Sequence, residues 1–532
     1  MGSGAMTNDI PGIKKADVIL VIGSDTTAAH PVISARIKQA VRAGEMRLIV
    51  IDPKQIRLAD YAEIYAAQKP GTDVAILNCL AHEIIKNGWE DKDFIANRLE
   101  GLDEFLAEIT QDIYEPEAIA PICGIAADKL REIARIFGQA PVAAVYYAMG
   151  ITQHSTGVDN VWSIANLQMI CGNIGVEGGG VNPLRGQSNV QGACDMGGLP
   201  NNYPGYQKVF EAEAQAKFEA AWDCKLDNKI GLHLTEMFDA VQAGKLKALY
   251  VMGENPLLSD PDQSHIIDSI GKLDLLVVQD LFLTETAEYA DVVLPAASFF
   301  EKEGHFTNTE RRVQRVNKVI SSPGKAKPDW EIIQLLANKM GGNWDYQSPK
   351  DILKEINKVT PQYGGITWDR IGKDGLQWPC TDENHPGTAI LHKDVFVRGK
   401  GKLKPIKIIA PAELPDAEYP LTLTTGRVLQ HYHTGTMTRK TPGLNKLAGP
   451  MVMISVYDAD QLGISNSEMV EISTRRGTIT APAFITKRIQ AGVIYIPFHY
   501  WESPVNRLTN PALDPIAKIP ELKVAAARVR KL

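Results

Sequence analysis

With 532 residues, 44% of them hydrophobic and 22% charged, the chain has the composition of a folded protein of about three domains, which excludes extensive disorder. A net charge of −7 argues against a nucleic-acid footprint or a polybasic membrane patch. No apolar run approaches the roughly 18 residues that span a bilayer, and the opening MGSGAMTNDI lacks the order of an export signal, so a cytoplasmic location is expected.

From the N-terminus, VILVI (18–22) and RLIVI (47–51) read as strands, and 34–43 and 73–85 as helices. The strands lack polar alternation, as strands buried on both faces of a parallel sheet do. A helix at 129–138 and a strand at 142–150 follow, and the block closes at the Gly-rich GNIGVEGGGVNPLRG. A second block places strands at 248–253, 275–280 and 291–295, each ending in a turn that faces polar loops toward a crevice. Residues 340–415 read as irregular, with a linker near 410–418. From 419 onward LTLTTGR, MVEISTRRGTITAPAFIT and VIYIPF are β-branched runs around a turn at 475–477. The expected fold is α/β: two doubly wound parallel-sheet (Rossmann-like) domains, 1–187 and 188–415, then a β-barrel domain, 416–532.

Six scattered cysteines without a CxxC pair give no visible iron-sulfur or disulfide framework, and most are expected to be plain buried residues. The chemistry lies instead at strand ends, where free backbone N–H groups attract phosphate. GSDTTAAHP (23–31), IDP (51–53) and KPGTD (69–73) each serve equally well as a cap or turn when taken singly. AMGITQ (148–153) ends a strand and presents Gln153, or is a turn without a ligand. The most informative stretch is RGQSNVQGACDM (185–196). Arg185 offers a planar fork suited to a carboxylate, Gln187, Asn189 and Gln191 offer amides for heterocycle edges, and Gly186 and Gly192 let backbone approach closely. A connecting loop is the alternative. No GxGxxG follows the first strand, which disfavours an NAD site.

The 185–196 stretch closely resembles the pocket segment of molybdenum- or tungsten-dependent formate dehydrogenases, members of the bis-molybdopterin guanine dinucleotide (DMSO reductase) family of molybdopterin oxidoreductases. The succession HP, DP and PGTD, then GENP (253–256), QD (279–280), TETAEYADVVLP (284–295) and EKEGHFTNTERRVQ (301–314), continues the resemblance. TTGRVLQHYHTGTMTR (424–439) and FHYWESPVNRLTNPALDPIAKIPELK (498–523) carry it to the C-terminus. It implies that Gly23, Ser24, His30, Asp52, Gly71, Asp73 and Gln153 contact one guanine dinucleotide arm, and Gly253, Asn255, Gln279, Asp280 and Thr284 the other. Gln187, Asn189, Gln191, Gly192 and Asp195 would line the pocket, while Arg427, His431, His433, His499, Asn506 and Lys523 close over the pterins. Arg185 would hold formate. Asp25 and Lys54 depart from the Asn and Arg usual at those places. Arg311 and Arg312 are expected to pair with carboxylates.

Family members also carry an N-terminal 4Fe-4S domain and a cysteine or selenocysteine metal ligand followed by histidine; neither stands in this sequence. GSGAMTN resembles the stretch shortly after that ligand, so the expectation is a catalytic-subunit piece, from a selenocysteine codon read as stop or a split polypeptide, inactive alone. The implied partners are formate or carbon dioxide, the 4Fe-4S segment or subunit, and an electron-transfer subunit. A nitrate reductase, a formylmethanofuran dehydrogenase or a catalytically silent cofactor-binding scaffold are the rival readings.

Overall fold

The computed structural model describes all residues, Met1–Leu532. They form two compact units: Met1–Gly186 with Leu258–Ser264 and Ile390–Leu532, and Gln187–Leu257 with His265–Ala389. No helix is long and apolar enough to cross a membrane.

The first unit is built on a five-stranded parallel sheet of β1 (Val18–Ile22), β2 (Arg47–Ile51), β3 (Ile64–Ala66), β4 (Ala143–Tyr147) and β5 (Val181–Pro183), in the order β3-β2-β1-β4-β5. Successive side chains of β1 point to opposite faces, so Val18, Leu20 and Ile22 join one apolar core and Ile19 and Val21 another. Helices Asp73–Lys86, Ala127–Gly138 and Gly157–Ile170 cover the first face, and Pro31–Arg42 the second. This two-sided burial is why the strands read as continuous apolar runs.

Strand order reverses between β1 and β4, the position where an open α/β sheet forms its ligand crevice. There the loops after the two strands touch: Gly150 N–H donates to the Gly23 carbonyl at 3.0 Å. A Cβ on Gly150 would stand 2.5 Å from that same oxygen, and Gly23 adopts φ +57°, so neither position accepts a side chain without displacing backbone.

The same unit contains a closed barrel in which Leu421–Gly426, Val493–Pro497, Val452–Ser455, Gly477–Thr486, Met469–Thr474 and Ala525–Lys531 follow one another round the wall. The barrel docks at the carboxyl ends of β2 and β3. Gln55 N–H donates to the Arg488 carbonyl at 2.7 Å, the Arg488 guanidinium pairs with Asp60 at 2.8 Å, and Gln490 donates to the Gln68 carbonyl at 2.5 Å. Residues 390–409 also belong here: Gly401–Lys402 pairs with Leu99–Glu100, and Leu391 N–H donates to the Thr7 carbonyl at 2.7 Å.

The second unit holds a three-stranded parallel sheet, Val292–Pro295, Leu275–Asp280 and Ala248–Met252, and an antiparallel sheet of Gly304–Thr307, Arg312–Val316 and Leu376–Gln377. Tyr250, Met252, Leu275, Val292 and Val293 leave apolar surface of the parallel sheet in solvent. Part of the stretch read as irregular is helical at Pro349–Val359, an amphipathic segment opened by Pro at its first turn. All six cysteines are free, and only Cys79, Cys123 and Cys380 are buried, fewer than expected.

Candidate functional site

The carboxyl edge of the five-stranded sheet gathers the motifs of the first unit. Gly23 and Ser24 follow β1, Asp52 ends β2, Asp73 opens the helix after β3, Gln153 lies beyond β4, and Arg185 follows β5. The barrel adds Arg427, His433, His499 and Lys523. Their hydrogen bonds fix several protonation states. His30 Nε2–H donates to the Arg185 carbonyl at 2.7 Å, leaving its buried Nδ1 as an unpartnered acceptor. Val428 N–H donates to His499 Nε2 at 3.0 Å, so Nδ1 carries the proton and donates to the His433 carbonyl. Burial holds His499 down at about 3 and His433 at about 4, so both rings are neutral donors or acceptors.

Two cations at this edge, Arg427 and Lys523, rest on neutral groups. Arg427 lies over the Phe498 ring at 5.8 Å, and a Cβ on Gly186 would come within 2.8 Å of its guanidinium. Lys523 donates to the Thr425 carbonyl at 2.9 Å and hydroxyl at 3.3 Å. Desolvation, then the charge of Arg427, pushes Lys523 down to about 7. Two neighbouring buried cations are stabilised by an anion that neutralises both, which is what a pyrophosphate supplies. The donor set therefore fits a phosphate-bearing ligand.

Asp25 and Lys54 bind each other: Lys54 Nζ meets Asp25 Oδ2 at 2.8 Å and stands 4.0 Å above the Tyr495 ring. The two positions stand 29 residues apart, and their contact is made by the fold rather than by either motif alone. Sequence reasoning also missed His154, whose Nε2–H donates to the Gly150 carbonyl at 2.8 Å and lies 3.8 Å from Asp73. It directly follows Gln153, the half-buried residue that was singled out.

Burial pushes Asp52 and Asp73 up to about 7. Between pH 4 and 7 the folded chain thus keeps a proton on Asp52 that an unfolded carboxyl loses, so this contribution to stability is lost as pH rises through that window. Asp52→Asn in the cofactor-free chain should gain about 3 kcal/mol relative to the parent between pH 5 and pH 8, at roughly 1.4 kcal/mol per unit over the two units below the folded pKa of about 7. Urea midpoints at the two pH values check this; a constant difference would mean that Asp52 is not held neutral.

Other candidates are occupied differently. Gly71, at φ +82°, packs where a Cβ would meet Pro411 at 2.4 Å, so it serves the close passage of the 410–415 segment. Asn506 donates to the Leu258 and Ser259 carbonyls, both at 2.8 Å, and His431 Nδ1 meets the Thr438 hydroxyl at 3.2 Å. Within the second unit, Gly253 N–H donates to the Gln279 carbonyl at 2.9 Å, and Asn255 bonds Glu285 and Thr286, each at 2.7 Å. Gln279 donates to Asp329 at 2.7 Å, Asp280 accepts from Leu281 N–H at 2.6 Å, and Thr284 caps Ala287 N–H at 3.1 Å. Asn189 accepts from Thr307 N–H at 2.8 Å, and Gly192 fits beneath Thr307, where a Cβ would lie 3.1 Å from the hydroxyl. Gln187 is half-buried at the start of this unit. Arg312 pairs with Glu310 at 2.9 Å as expected, and the fully buried Arg311 donates to the carbonyls of Trp378, Thr388 and Ala389.

Comparison with known proteins places this architecture. Residues 2–339 match the molybdopterin oxidoreductase family, and residues 421–526 match the molybdopterin dinucleotide binding domain. The chain therefore belongs to the molybdopterin oxidoreductase family. It is 51% identical to the F420-dependent formate dehydrogenase subunit alpha of Methanocaldococcus jannaschii, over 100% of this chain and 79% of that protein. It is 48% identical to the F420-dependent formate dehydrogenase 1 subunit alpha of Methanococcus maripaludis, with the same coverage. Formate dehydrogenase H of Escherichia coli is 37% identical over 100% of this chain and 75% of its own length. The acetylene hydratase of Pelobacter acetylenicus shares the fold with a TM-score of 0.75 at 20% identity, covering 98% of this chain and 81% of that one.

Proposed function

We propose that this chain is the greater part of the catalytic subunit of a formate dehydrogenase that interconverts formate and carbon dioxide on a molybdenum or tungsten bis-molybdopterin guanine dinucleotide. The observation that carries the reading is the place of Arg185. It extends from the carboxyl end of β5, its carbonyl is held by His30, and its guanidinium donates to the Gly4 carbonyl at 3.2 Å. A guanidinium anchored at the edge where a phosphate-rich ligand fits is positioned to take a carboxylate substrate and orient its C–H bond. When bound, the cofactor supplies the two-electron redox change.

Gly23, Ser24, His30, Asp52, Asp73 and Gln153 would then hold one dinucleotide arm, with Arg427, His433, His499 and Lys523 toward its phosphates and pterin. The second unit, 187–257 with 265–389 rather than the expected 188–415, would hold the other arm through Gly253, Asn255, Gln279, Asp280 and Thr284, and 416–532 would close over the pterins. The solvent-facing apolar side chains on one face of the three-stranded sheet, Tyr250, Met252, Leu275 and Val292, favour a further segment packing there, since parallel sheets are covered on both faces. In this reading that segment accompanies the metal ligand and the 4Fe-4S cluster, and a separate subunit takes the electrons.

The test is dye reduction by the cofactor-loaded enzyme containing this chain. Formate should drive it and nitrate should not be reduced. Full cofactor content without formate turnover would favour a scaffold instead.

A further inference from the structure

We propose that His82, Glu83 and Glu115 form a binding site for a divalent transition-metal ion of the Zn2+ type, separate from the cofactor edge. His82 lies nine residues along the helix from Asp73, about 13 Å at the usual helical rise, toward the opposite end of the sheet. The helix is buried from Asp73 to Ile84, and His82 and Glu83 are each only 5% exposed. Two adjacent titratable side chains in such a helix need partners.

The geometry supplies half of one. The Ile109 carbonyl accepts from His82 Nδ1–H at 2.8 Å, since a carbonyl can only accept. The proton on Nδ1 leaves Nε2 as the free ligand atom of the neutral ring, and this buried Nε2 has no hydrogen-bond partner. A backbone carbonyl that fixes the far nitrogen is the arrangement by which proteins orient metal-binding histidines. Nε2 is aimed at Glu115, whose Oε1 lies 3.5 Å away, and the ligand atoms of His82, Glu83 and Glu115 all lie within 4.8 Å of one another. Ligands about 2.1 Å from a shared ion are separated by up to about 4 Å, so small side-chain adjustments close the set.

A resident cation already marks the place: Lys86 Nζ contacts Glu115 Oε1 at 2.6 Å, and its side chain is half exposed and free to swing away. One imidazole and two carboxylates suit Zn2+ and its neighbours better than Ca2+ or Mg2+. Because Glu115 immediately precedes helix Pro116–Cys123, the ion would tie that helix to the long helix of the core.

Zn2+ titrated into the chelator-treated full chain, followed by calorimetry and thermal shift, should show one saturable equivalent and a raised Tm. His82→Asn should abolish that equivalent, and Glu115→Gln should weaken it at least tenfold. Lys86→Met, which removes a competing surface cation, should tighten it several-fold, and this variant carries the test if His82→Asn fails to fold. Co2+ at the site should give visible ligand-field absorption without the near-ultraviolet thiolate band that capture by cysteine would produce. Absence of saturable binding, a thiolate band, or indifference to both Lys86→Met and Glu115→Gln would overturn the proposal and leave His82 as a buried side chain that only packs beside Glu115. None of these readouts depends on formate turnover.

Discussion

Arg185→Lys in the cofactor-loaded enzyme should lower kcat/KM for formate by about 100-fold while leaving cofactor content unchanged. The physical reason is geometric. A guanidinium presents parallel donors in a plane, so it can grip a backbone carbonyl and a carboxylate together, whereas an ammonium on a flexible stem can satisfy either only as a point charge. The Gly4 carbonyl at 3.2 Å already draws on one Nη of Arg185, and a lysine held by that carbonyl would stand misdirected for the substrate. His30→Ala should act in the same direction but more weakly, because it frees the Arg185 carbonyl and loosens the strand exit without removing the charge. Steady-state formate kinetics normalised to bound metal distinguish the two. Unchanged kinetics in Arg185→Lys would remove Arg185 from the substrate's path and with it the main support for the formate reading.

Much of the sheet could be read from sequence because burial on both faces writes itself as uninterrupted β-branched runs; 18–22 and 47–51 were read to the residue. β3 and β5 were missed because each is three residues long, and β5 emerges from a Gly-rich stretch whose composition signals turns. Pro349–Val359 was missed because its apolar residues form only a narrow stripe among lysines and acids, which reads as irregular without a helical count. The site shows a similar division. Residues that end strands of the five-stranded sheet meet at one edge as the motif order implied, because a parallel sheet delivers every strand's carboxyl end to the same side. Gly71 could not be read this way: its glycine answers to Pro411, some 340 positions later, and no local spacing carries that information. The carbonyls of 378–389 that accept from Arg311 are likewise set by tertiary folding and have no local signal.

Asp195 tests where binding ends and architecture begins. The resemblance assigns it to the pocket, yet its fully buried carboxylate is surrounded by four donors of its own unit. Gln191 Nε2 at 2.8 Å and the Tyr206 hydroxyl at 2.7 Å share one oxygen; the Tyr363 hydroxyl at 2.6 Å and Trp378 Nε1 at 2.7 Å share the other. In Asp195→Asn one of those oxygens becomes an NH2 group. A tyrosine hydroxyl can rotate and accept from it, but the Trp378 indole N–H cannot, and Gln191 can do so only by turning its amide over and giving up its donation to the Tyr206 hydroxyl at 2.9 Å, so either orientation of the new amide costs a buried hydrogen bond. The cost should be about 3 kcal/mol, as for breaking a buried hydrogen-bond network on a charged group. It should fall on the second unit alone: hydrogen exchange and limited proteolysis should accelerate within 187–257 and 265–389, with protection of the five-stranded sheet unchanged. Exchange rates in those segments equal to the parent's would show that Asp195 is dispensable to the fold, and its conversion to Asn would then be expected to act on ligand binding instead.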